Sequence, residues 1–171
     1  MKKPIFSDAQ ITAMIKTDFE RVAIHELAHS YVADSFGVMG HIRYTQNENI
    51  DSANRHLIAE QNAITGRFEM WNPPTDRFQL AAIGLAGTIA ESVCLDEDIT
   101  ADDVFNHFIC EDFSETDAAL VPDDFNYDEV ESCIELVKQL KPKIMEHAAL
   151  DVKNSGEIEE AISRLLGGVF A

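Results

Sequence analysis

Residues 21–33 read RVAIHELAHSYVA, and within them stands the pentad His25-Glu26-Leu27-Ala28-His29. Two histidines four apart on a helix project in the same direction. Their ring nitrogens can then hold one tetrahedral zinc ion. Glu26, beside the first histidine, can reach a zinc-bound water, whose pKa the metal lowers to about 7. Around the pentad, Val22, His25, Glu26, His29, Val32, Ala33 and Phe36 share one helical face by their i, i+3, i+4, i+7 spacing. Ala23, Ile24, Leu27, Ala28 and Tyr31 occupy the other face, so the helix is apolar all round and is expected to be central. Burying three polar groups on such a helix costs roughly a few kcal/mol if partners are missing. A zinc ion would satisfy both histidines at once.

Outward from this stretch, Ser7-Asp8-Ala9-Gln10 and Thr17-Asp18-Phe19-Glu20 both have the form of a capping box. A helix starts at one of them, or a break separates two helices. The zinc-helix pattern runs from about 17 to 36, where Gly37 supplies a stop. Short β-like runs at His41–Thr45 and 66–71 flank a polar stretch, Ser52–Thr65, that reads as a helix or an irregular insertion. Thr75 is the expected cap of a second core helix over about 76–95. On it Gly84, Gly87, Thr88 and Glu91 form a stripe of small residues, ending in a carboxylate, that lets another helix approach closely. After LDEDIT come a helical stretch near Ala101–Cys110 and a capping signal at Ser114-Glu115-Thr116-Asp117. Helices over about 127–149, with a kink or break at Pro142, and 156–166, stopped by Gly167-Gly168, complete the chain. No repeat or linker is present, so residues 1–171 read as a single, mostly α domain.

A chain of 171 residues can bury a core without a metal staple, so a bound metal would serve chemistry more than folding. Cys94, Cys110 and Cys133 are odd in number and form no CxxC pair, which argues against a disulfide framework and a cysteine zinc site. The N-terminal lysines precede no apolar run, so no ordinary signal peptide is expected. No apolar stretch approaches the ~20 residues that span a bilayer. A cytoplasmic protein without a membrane span is the resulting expectation. The net charge of −18 is concentrated in residues 78–137, which hold sixteen acids and no lysine or arginine. This field excludes nucleic acid as a partner and favours cations or basic proteins, beyond its simpler service as a solvated face.

The third metal ligand decides the class of the site. Zincins continuing HExxHxxGxxH need Gly at 32 and His at 35, whereas this chain has Val32 and Ser35. Spacing leaves Glu91, Asp117 and the histidines His41, His56, His107 and His147 as candidates, with His107 and Cys110 the weaker pairing.

RVAIHELAHSYVADSFG resembles the zinc helix in the peptidase domain of the FtsH family, the membrane-anchored ATP-dependent zinc proteases of bacteria and organelles. IGLAGTIAESV is similar to that family's Gly-Gly-x-x-Ala-Glu helix, with Gly87, Ala90 and Glu91 in the corresponding places. SETDAALV resembles the segment that supplies its third ligand, an aspartate. The order and approximate separation of the three blocks agree over most of residues 17–150. The resemblance implies zinc bound by His25, His29 and Asp117, with Glu26 as general base and Glu91 supporting the site from behind. It also implies a helical, zincin-like metallopeptidase fold with at most a small two-stranded β element.

Ala28 replaces the family's usual glycine, and the sequence holds neither a GxxxxGK[ST] phosphate loop nor a transmembrane helix. A stand-alone zinc endopeptidase acting on peptides or unfolded protein, alone or with a separate ATPase, is therefore the leading expectation. The alternative is a catalytically inactive zinc-binding, or metal-free, acidic interaction protein with a basic partner.

Overall fold

The computed structural model describes residues 5–167. In chain order the elements are α1 (Asp8–Ser35), β1 (Gly40–Gln46), a 3-10 helix (Arg55–Ala59), β2 (Ile64–Met70), α2 (Arg77–Cys94), α3 (Ala101–Ile109), α4 (Glu115–Ala118), α5 (Tyr127–Asn154) and α6 (Gly156–Leu165). The chain is thus mostly helical with a small two-stranded antiparallel sheet, as expected. No helix among the described residues is long and apolar enough to cross a membrane. The chain divides into two compact units.

The first unit takes residues up to Ala23, then Arg43–Arg67, and the chain from Ala148 onward. Ser7 decides where α1 begins: the Gln10 amide donates to Ser7 Oγ at 3.1 Å, and the Ser7 amide donates to Gln10 Oε1 at 2.8 Å. The second box, at Thr17, lies inside the helix, so α1 starts at Asp8 and not near 17. Ile11, Ile15 and Phe19, one apolar stripe at i, i+4, i+8, are almost fully buried. Burial of that stripe carries the helix through the inner box. Asn47 donates its amide to the Ala63 carbonyl at 2.8 Å, at the mouth of the long β1-β2 connection. Arg164 of α6 donates to the carbonyls of Asn47 and Ile50 in that connection. Ile158, Ala161 and Leu165 form the buried stripe of α6. Gly167 has the left-handed φ of 89° expected of a helix stop; Gly168 lies outside the described residues.

The second unit takes Ile24–Ile42 and Phe68–His147. Here α1 ends in a Schellman motif, with Gly37 at φ 74°, its amide donating to Asp34 and that of Val38 to Ala33. Asp76, the residue after the expected Thr75, caps α2 by accepting from the Gln79 amide. Every residue from Ala81 to Gly87 is buried, so α2 is a core helix on nearly all sides. Thr100 and Asp103 form the capping box of α3, and Ser114 caps the single turn of α4. Pro142 removes one amide donor from α5, yet the helix runs on to Asn154.

Candidate metal centre

All five polar residues singled out around the pentad come together in the second unit. His25 and His29 sit about one turn apart on α1 with Glu26 next to the first, Glu91 comes from the last turn of α2, and Asp117 from α4. What brings α2 so near is its glycine stripe. A Cβ at Gly87 would lie 2.5 Å from His25 Nε2, and one at Gly84 would lie 2.6 Å from the Asp117 carbonyl oxygen. Gly87 therefore makes room for the His25 ring, while Gly84 seats the turn that carries Asp117.

The hydrogen bonds determine which ring nitrogens face the centre. His29 Nδ1 is 2.5 Å from the Ile83 carbonyl, which can only accept, so Nδ1 carries the proton. His25 Nδ1 lies 2.8 Å from Glu91 Oε1 and donates to that carboxylate. Both Nε2 atoms are thereby turned toward Asp117 Oδ2, at 3.2 Å from His25 and 3.4 Å from His29. One ligand atom from each of the three residues falls within 4.8 Å of the others, the only such cluster among the described residues. His41, His56, His107 and His147 are thus not gathered into a metal group.

His29 Nε2 tests the fit to a metal. It is buried and makes no hydrogen bond; with the ring proton on Nδ1, both Nε2 and the Asp117 oxygen 3.4 Å away are acceptors. A buried nitrogen without a partner is costly, and a cation among two imidazole lone pairs and a carboxylate removes that cost. Glu26, Glu91 and Asp117 also bring three carboxylates to two histidines, an excess of negative charge that a divalent ion offsets. The His29 side chain is 4% exposed, but those of His25 and Asp117 are 20% and 15% exposed. The centre is therefore closed on the His29 side and open to solvent on the other, as a site needs if it is to admit a water or a substrate. The residues fit a metal ion.

Protonation of His25 answers part of the same excess of negative charge. Burial disfavours the charged His25 ring, but hydrogen bonds to Asp117 and Glu91, and the charge of Glu26, outweigh it and raise its pKa to about 10. For Asp117, burial acts upward, yet its contacts with His25 and His29 hold the carboxyl far below the usual range. Glu26 is 8% exposed, and burial pushes its carboxyl up against the opposing pull of the two histidines and of a hydrogen bond from the Phe68 backbone.

Two backbone partners, the Ile83 carbonyl and the Phe68 amide, were not named by the sequence reading. Only Gly84 and Gly87, which bring the α2 backbone within reach, hinted at the first. The sequence matches no protein-family model and no curated protein, so the reading of the site rests on its geometry.

Proposed function

We propose that the protein is a zinc-dependent endopeptidase in which His25, His29 and Asp117 hold the ion and Glu26 is the general base. The observation that carries this reading is the convergence of His25 Nε2, His29 Nε2 and Asp117 Oδ2, with the His29 nitrogen buried and unpartnered. A donor set of two imidazoles and one carboxylate suits zinc, and a partly exposed side suits a catalytic rather than a structural site. Bound there, zinc would polarise a carbonyl and acidify a water.

The chain's own residues supply the rest. Glu91 and the Ile83 carbonyl hold the two imidazoles in the tautomer that presents Nε2, which orients the ligands and increases their basicity. Glu26 lies beside both histidines with its carboxyl pushed upward by burial, closer to neutrality, where a general base accepts and returns a proton most readily. It takes the proton of the attacking water and delivers it to the departing amine. Substrates are peptides or unfolded protein, and a separate ATPase would extend the range to folded targets.

Metal analysis and cleavage of casein, a flexible substrate, test the reading together. Wild type is expected to hold about one zinc per chain and His25→Ala to lose it. Glu26→Gln is expected to keep the zinc and lose cleavage. Cleavage surviving in Glu26→Gln removes the proposed base, and full zinc in Asp117→Ala removes the third ligand. Zinc binding without hydrolysis of any unfolded substrate would leave the acidic interaction protein as the better reading.

A further inference from the structure

The turn that carries the metal ligand Asp117 also walls a pocket of about 310 Å³. Ala118 and Val121 line it from that turn, facing Phe105, Phe108 and Phe125, while the exposed Asp123 stands at its rim. Such a volume lies at the small end of ligand pockets. Gly84 seats the same turn against α2, since a Cβ there would meet the Asp117 carbonyl at 2.6 Å and Val121 Cγ2 at 3.2 Å. Metal ligand and pocket wall are therefore positioned by one packing contact.

The chemistry of the walls narrows the occupant. Aromatic faces attract a cation, guanidinium above ammonium because it is planar and less strongly hydrated. Asp123 makes no ion pair among the described residues, and the adjoining Arg77 is held by Asp124 and Glu129 instead. The adjoining residues already show the combination at work. The Arg77 guanidinium lies 5.7 Å from the centroid of the Phe125 ring and bonds Asp124 at 2.8 Å. Phe125 thus already pairs with the neighbouring carboxylate to hold one guanidinium, and the pocket presents Asp123 for a second.

We propose that this pocket receives an arginine side chain of the bound peptide, so that the protein acts on basic segments of unfolded chains. Its place in catalysis rests on the endopeptidase reading; the recognition itself does not. The apolar stem of the arginine would lie against the phenylalanines and its head group would meet Asp123 at the rim.

The test uses full-length, zinc-loaded Glu26→Gln protein, which binds without turnover. Fluorescently labelled flexible peptides, identical except for a central Arg, citrulline, Leu or Phe, are titrated and followed by anisotropy. The Arg peptide is expected to bind about tenfold tighter than its neutral isostere citrulline. Adding Asp123→Asn is expected to weaken the Arg peptide about fivefold and to leave citrulline unchanged. Adding Glu131→Gln, which removes an exposed carboxylate outside the pocket, is expected to change neither. Tighter binding of the Leu or Phe peptide overturns the proposal, as does an equal loss with Glu131→Gln, which would assign the preference to the acidic field at large. Wild type that cleaves casein with no preference for Arg peptides refutes the pocket alone. An Arg preference in a protein that cleaves nothing supports the pocket and refutes the endopeptidase.

Discussion

Gly87→Ala separates the metal centre from the stability of the fold. The added methyl would lie 2.5 Å from His25 Nε2 and 2.6 Å from Cδ2 and Cε1, whereas ordinary contact begins at 3.4 Å. The ring, or α2 behind it, must therefore retreat by roughly 1 Å. Overpacking of this kind costs about 1–3 kcal/mol. Alanine in place of glycine inside a helix returns about 1 kcal/mol, so the metal-free protein should lose no more than about 2 kcal/mol. Metal affinity has no such offset, because ligand distances are tolerated only within about 0.2 Å and Nε2 is the displaced atom. A loss of about 10–100-fold is expected, as for other changes that misorient a ligand. Competition against a chromophoric zinc chelator measures the affinity, and thermal unfolding with and without zinc measures the stability. Gly156→Ala serves as control, since nothing lies within 4 Å of its added Cβ; its zinc affinity should match wild type. Wild-type affinity in Gly87→Ala would refute the placement of His25 Nε2 at the metal.

Glu91→Gln keeps an acceptor for His25 Nδ1 but removes the charge behind it; zinc affinity is expected to fall about tenfold in the same competition assay, and an unchanged value would deny Glu91 its orienting role. In the metal-free protein His25 binds its proton more tightly folded than unfolded, with a pKa raised from 6.5 to about 10. Its contribution is complete below pH 6.5 and lost as pH rises toward 10. Glu26, also raised, acts in the same direction from pH 4.5 upward, whereas the lowered pKa of Asp117 makes its contribution complete above pH 3.8 and lost on acidification. The metal-free melting temperature should therefore fall across pH 6.5–10, while zinc affinity rises as the competing proton leaves His25; a flat metal-free profile would contradict the His25 assignment. Glu111 ends α3 in the left-handed region at φ 57°, where a side chain is strained, so Glu111→Gly should stabilise by about 0.5–1 kcal/mol in urea unfolding; a loss of stability would show that the Glu111 side chain makes a compensating contact.

How much was legible from sequence depended on the range of the interaction. The pentad, the caps at Ser7 and Ser114, and the stop at Gly37 all act within one helical turn, and each stands at a position its local pattern marked. The same local rules could not choose between two equivalent boxes at Ser7 and Thr17, because the choice lay in burial of Ile11, Ile15 and Phe19. They likewise flagged Pro142 as a kink or break, and α5 runs past it to Asn154 with one amide donor missing.

By itself the sequence determined that two histidines and a glutamate share one face of a buried helix, since a period of 3.6 residues leaves no other arrangement. It also determined that a stripe of glycines would admit a neighbour. Spacing left the neighbours open and resemblance only suggested Glu91 and Asp117; the tertiary structure decided that they meet the two rings. Glu91 and Asp117 stand 66 and 92 residues from His25, and no periodicity reaches that far. Their meeting comes from the close seating of α2 against α1, which brings the Glu91 carboxylate, the Ile83 carbonyl and the turn of Asp117 to rings that α1 alone leaves half satisfied.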